Sequence, residues 1–115
     1  MSSKPVIPTR MAQQDVENEV TYYLVDKGSG SEQAALGFIA EIEKLYERLA
    51  KHPHVVGSPR YAYELDIPGL RSWPLERYPH LIFYIERETH VGIWRVLNGM
   101  RDIPAWLTTD DSKLQ

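Results

Sequence analysis

The chain contains no cysteine. Disulfides, thiolate metal sites, iron–sulfur ligation and cysteine nucleophiles are excluded together. The composition fits a reducing compartment, and a cytoplasmic location is the expectation. No run of eighteen apolar residues occurs, so no membrane-spanning helix is expected. The start, Met1-Ser2-Ser3-Lys4-Pro5, has no long apolar signal segment. Excess positive charge is also lacking. Thirteen Lys and Arg face sixteen Asp and Glu, for a formal charge of −3. That balance argues against broad attraction to nucleic-acid phosphates, which favours basic surfaces. A Gly-rich phosphate loop, HExxH and GxSxG are all absent.

What remains is one compact domain over residues 1–115, with a hydrophobic share of 43% and a charged share of 25%. Val6-Ile7, between Pro5 and Pro8, reads as a short edge strand, where proline is tolerated. From Ala12 onward Val16, Val20, Tyr23 and Leu24 recur three and four apart, as on one helical face. Lys27-Gly28-Ser29-Gly30 breaks that helix. Ser29 and Glu32 have capping-box spacing ahead of a second helix. Its stripe is Ala35, Phe38, Ile39, Ile42, Leu45, Tyr46 and Leu49, with Glu43, Lys44, Glu47 and Arg48 on the outer faces. His52-Pro53 should end it, because residues before proline avoid the helical region. The two form a helical hairpin.

The second half has the period of strands. Tyr61, Tyr63 and Leu65 alternate with Ala62, Glu64 and Asp66. Ile67-Pro68-Gly69-Leu70 is a turn. Residues 71–77 alternate again, placing Trp73 and Leu75 between Arg71 and Arg77 on one face. Residues 81–85 and 90–97 are strands joined by a polar hairpin connection, and Asn98-Gly99 ends the second. Residues 103–107 suggest a helical turn, and residues 108–115 a flexible tail. Helices grouped before strands predict an α+β fold: an N-terminal helical hairpin packed on a small, mostly antiparallel sheet.

Few side chains suggest catalysis. His52 and His54 straddle Pro53, with no third ligand close in sequence, so loop solvation is the better reading than a metal site. His80 and His90 flank one strand and read as polar strand-end residues more readily than as general bases. The arginines say more. Residues 12–52 hold eight acidic and four basic side chains, whereas residues 58–101 hold six arginines and five acids. Acid is thus concentrated in the helical half. Arg71, Arg77, Arg95 and Arg101 are candidates for pairing with carboxylates or phosphates. Asp102 is read as a cap on the terminal turn. Trp73, Trp94 and Trp106 fit core packing, yet tryptophan also anchors protein interfaces. A partner peptide could cover the sheet by strand addition or by laying a helix in a groove.

The ordered segments "ENEVTYYL", "AALGFIAEIEKLYERLAKHP", "GSPR", "PGLRSWPLERYPHLIFYIER" and "VGIWRVLNGMRDIPAWL" span about Val6 to Leu107. In that order the chain resembles the ParE toxins of the ParE/RelE superfamily, from bacterial type II toxin–antitoxin pairs. The resemblance implies the same helical hairpin on a small sheet. It implies a cognate antitoxin, often of ParD type, whose C-terminal segment wraps the toxin. For ParE-like members it implies DNA gyrase as target, and for RelE-like members cleavage of mRNA on the ribosome. By resemblance Arg71, Arg77, Arg95 and Arg101 stand at recurrent basic positions. Many relatives carry histidine where this chain has Asn98. Asparagine cannot act as a general base. The expectation is a non-catalytic toxin without metal or cofactor, binding partners through Arg71, Trp73, Arg77, Arg95, Asn98 and Arg101. Sequence-specific nucleic-acid binding by the toxin alone is not expected. The alternatives are a ribosome-dependent endoribonuclease, drawing on groups such as Arg71, Arg77, Arg101, His80 or Tyr84, and an attenuated binding module.

Overall fold

A computed structural model describes residues 4–26, 31–52 and 57–99. The chain begins with strand β1 (Val6–Pro8) and helix α1 (Arg10–Thr21), which runs into a π-helical turn at residues 22–26. Helix α2 (Ser31–Lys51), helix α3 (Arg60–Leu65) and strands β2 (Leu70–Pro74), β3 (His80–Glu86) and β4 (Val91–Asn98) follow. Among the described residues the strands form one sheet in the order β1-β4-β3-β2. Strands β2, β3 and β4 pair antiparallel, while β1 joins the β4 edge in parallel. The sheet is therefore mixed and mostly antiparallel, as the α+β reading anticipates.

Alternation along the strands creates two cores. On one face Ile82, Tyr84, Val91, Ile93 and Val96 pack under the helical hairpin against Ala12, Phe38, Ile42, Leu45 and Leu49. On the other, Leu70, Phe83, Ile85, Trp94 and Leu97 pack with Tyr61 of α3. Fully burying side chains of this size contributes roughly 1.5–3 kcal/mol each. The α2 stripe is as expected: Ala35, Phe38, Ile42, Leu45 and Leu49 are buried, and Ile39 and Tyr46 half-buried. The helix also stops at Lys51, before proline.

Thr9 joins α1 to the sheet. Its hydroxyl accepts from the Ala12 N–H at 3.1 Å, capping the helix. It also donates to the Trp94 carbonyl at 2.9 Å.

Three local expectations are corrected. Residues 61–65 form helix α3, not a strand. Tyr61 and Leu65 are as compatible with one helical turn as with alternation, and local chemistry favours the helix. The Ser58 hydroxyl accepts from the Arg60 N–H at 3.2 Å. Arg60 pairs with Glu64 one turn later at 3.3 Å. Asp66 closes the helix in the left-handed region at φ 56°. Tyr63 is left outside and exposed. Second, Leu24 is 49% exposed, not on the apolar face. The π-helical turn changes the angular phase after Thr21 and brings Tyr23 into the aromatic cluster with Phe38 and Tyr78. Third, Arg71 and Arg77 do not share a strand face. Strand β2 ends at Pro74, and Arg77 lies in the bend that follows.

Both outer strands are guarded. On β2 the outward N–H and carbonyl of Ser72 are taken by Ser58 at 3.0 and 2.8 Å. The Leu70 N–H bonds Ile67, and Pro74 has no N–H to offer. On β1 the strand ends at Pro8. Little main chain is left to template strand addition, so the groove mode of docking is favoured. The capping Ser29, the link residues 27–30, and the turn expected at 103–107 lie outside the described residues.

Candidate functional site

The sheet treats its arginines in two ways. At the β4 edge, β1 ends opposite Ile93 and α1 takes over. A bulge beside Phe83/Tyr84 changes the phase of β4. Arg95 then meets Asp15 of α1 in a two-pronged ion pair, at 2.8 and 2.9 Å. The same carboxylate accepts from the Val96 N–H at 2.9 Å. Arg95 is 5% exposed. It therefore holds α1 to the sheet and presents little surface. One turn along α1, Glu19 bonds the buried His80 ring at 2.7 Å. His80 sits against Phe38, with ring centres 4.9 Å apart. Asn98 is half-buried and stands opposite His80 in the strand register.

The β2 side is open. A groove of about 250 Å³ runs between α2 and the end of β2. Gly37, Ala40, Lys44 and Arg48 line its helical wall, spaced three, four and four apart on one stripe. The two small residues leave the space. Trp73 and Arg77 line the opposite wall. The Arg48 guanidinium lies 5.7 Å above the Trp73 ring centre, within cation–π range. The bend that carries Arg77 is anchored by Glu41, whose carboxylate accepts from the Glu76 and Arg77 N–H groups at 2.9 and 3.0 Å. The groove thus offers an aromatic platform, a rigid backbone and three cationic side chains with no ion pair among the described residues, beside Glu41 and Glu76. Chemically, the arrangement suits an amphipathic segment that bears carboxylates.

Arg71 shares the Trp73 face of β2, two residues away, but lines a separate concavity with Tyr63 and Asp66. Its guanidinium donates to the Gly57 carbonyl at 3.1 Å. Gly57 has φ +93°, and a Cβ there would overlap the Tyr84 hydroxyl, so only glycine fits. The structure thus brings Trp73 and Arg77 together, keeps Arg71 nearby, and separates Arg95 and Asn98 from all three. Arg101, with Asp102 and Trp106, lies outside the described residues, as does His54.

Tyrosine ionisation is suppressed inside. Burial pushes the Tyr84 hydroxyl up to about 12, with Arg71 opposing and Glu86 adding to the shift. Burial, with Asp15 nearby, does the same to Tyr46, also up to about 12. Among the described residues, no group of three His, Asp or Glu side chains is arranged to hold a metal ion. No described helix is long and apolar enough to cross a membrane.

Sequence reading missed Arg48, Lys44 and Glu41, taking the α2 charges as solvent-facing. The small pair Gly37 and Ala40, in line with Lys44 and Arg48, was the available signal. It also missed Asp15 and Glu19, whose i,i+4 spacing beside Val16 and Val20 aims both at the sheet.

No curated protein sequence matches the chain. Among solved structures, one titled "Chromosomal ParDE TA system from P. aeruginosa" is similar in fold, with TM-score 0.67 and 22% identity. The match covers 84% of this chain and 96% of that one. Residues 6–103 match the family model described as ParE toxin of type II toxin-antitoxin system, parDE. A match of that extent runs from β1 past the end of β4, and the chain belongs to the ParE toxin family.

Proposed function

We propose that this ParE-family chain is a non-catalytic toxin that binds DNA gyrase and is neutralised by a ParD-type antitoxin seated in the α2–β2 groove. Family membership over residues 6–103 is the observation that carries this reading. The similar solved structure is itself named for a ParDE pair. The groove supplies the chemistry an antitoxin segment needs: Trp73 for an apolar anchor, and Lys44, Arg48 and Arg77 for carboxylates. A gyrase target would place the protein in the cytoplasm.

The state of the acid–base groups speaks against the ribonuclease alternative. His80 is 1% exposed and engaged by Glu19, and Tyr84 is fully buried. A general acid or base must reach the proton it transfers. Neither group does so from its place in the core. Asn98 has no ionisable proton to contribute.

Purified toxin added in molar excess to a gyrase supercoiling reaction should inhibit it or trap cleaved DNA, and antitoxin should reverse the effect. Unimpaired supercoiling by a preparation that is still toxic in cells would overturn the gyrase reading. Codon-positioned mRNA cuts after induced expression would favour the ribonuclease instead. Expression without growth arrest would favour the attenuated module.

A further inference from the structure

A second groove lies on the sheet face turned away from the helical hairpin, beside β1. Its floor includes Ile85, Gly92 and Trp94. Arg10, from the first turn of α1, and Arg87, from the β3–β4 connection, line it from elements distant in sequence. Neither guanidinium has a hydrogen bond or ion pair among the described residues. The neighbouring Lys4, by contrast, is already paired with Glu86 at 2.8 Å. Among the described residues no acidic side chain lines the groove.

The other polar groups there point the same way. His90 uses Nδ1 on the Thr89 hydroxyl at 3.1 Å. Its Nε2 flank lies over Gly92, where an added Cβ would come no nearer than 3.7 Å to it. Trp94 is 3% exposed, and its buried indole N–H has no acceptor among the described residues. Two guanidiniums unpaired among the described residues, lining an apolar groove, call for an anion. Ile7, Met11 and Ile85 make the remaining wall apolar.

We infer that this groove receives a carboxylate borne on an acidic segment of a partner protein that alternates apolar and acidic side chains. A nucleic-acid backbone fits less well. It would bring a row of phosphates to two cations set among apolar side chains, on a protein of net charge −3. The inference does not depend on the function of the α2–β2 groove, which lies on the opposite side of the sheet.

The test is a 15N–1H NMR titration of the full chain with the capped tetrapeptide Leu-Glu-Leu-Glu. The Trp94→Phe spectrum assigns the Trp94 indole N–H, and the Trp73 indole reports the other groove separately. The Trp94 indole resonance, from a ring that lines the groove, should shift and saturate, whereas Leu-Gln-Leu-Gln should leave it in place. Arg10→Glu with Arg87→Glu should weaken the peptide roughly tenfold or more. Arg10→Gln with Arg87→Gln replaces that pair should the charge reversal unfold the chain. An unmoved Trp94 indole at high peptide concentration would overturn the inference. So would unchanged affinity in the folded arginine variants. Inorganic phosphate or oligothymidylate moving the same resonance at lower concentration than the peptide would overturn it too.

Discussion

The two edges of the sheet use the same residue types to opposite ends. At the β4 edge, Arg95 is buried and clasped by Asp15, and the Val96 N–H is absorbed by the same carboxylate. At the β2 edge, Trp73 and Arg77 face a groove with Lys44 and Arg48, while the bend is tied down through its main chain and the Tyr78 hydroxyl. The difference comes from what packs outside each edge. Helix α1 carries two inward carboxylates where β1 runs out. Helix α2 carries glycine and alanine where β2 runs out. One edge therefore contributes stability, and the other leaves its cations facing an open groove. The sequence-level charge division has a structural counterpart: several acids of the helical half are spent on the sheet itself.

Breaking the closed edge should have the largest effect. Asp15→Ala takes the carboxylate away from the buried Arg95 guanidinium and strands the Val96 N–H, at a cost of about 3–5 kcal/mol. Chemical denaturation measures it, and a loss below about 1 kcal/mol, typical of an exposed pair, would contradict the structural role given to Arg95.

On the open edge, Trp73→Ala should spare the fold and weaken the antitoxin complex by about 2 kcal/mol, roughly thirtyfold. Calorimetry checks this, and unchanged affinity would remove the groove from the docking surface.

The interior tyrosines set the next effect. Tyr46 and Tyr84 ionise near 12 when folded and near 10 when unfolded. The unfolded chain therefore loses these protons first. Stability is complete below pH 10 and falls between pH 10 and 12, by about 1 kcal/mol for each tyrosine at pH 11. Denaturation of the Tyr84→Phe variant across that range should show a shallower fall.

Arg71→Glu is expected to weaken the antitoxin complex by about 1 kcal/mol, less than Trp73→Ala because Arg71 lies outside the main groove. Equal affinity in a folded variant, measured by calorimetry, would detach Arg71 from the interface.

Much of the fold was legible because long periodic runs dominate it. The α2 stripe, the β3 and β4 strands, the turn at Pro68-Gly69 and the β1 edge strand all rest on patterns that packing reinforces. Short runs were ambiguous. Residues 61–65 fit both periods, and only the Ser58, Glu64 and Asp66 contacts select the helix. The π-helical turn and the β4 bulge each insert a phase change that a fixed period cannot represent. The site was legible in part. Trp73 and Arg77 do share one wall of a groove, but the α2 residues opposite came from a face that reads as solvated. Arg95 shows the limit most clearly. Residue type alone does not distinguish a surface cation from one that Asp15 has drawn into the core.

The contrast between the edges is tested most directly by amide hydrogen exchange on the full chain with and without its antitoxin. Added protection should fall on residues 40–48 and 73–77, with residues 15 and 95–96 unchanged, since they are closed in the free toxin already. Protection confined to α1 and β4, with the α2–β2 groove unaffected, would contradict the account.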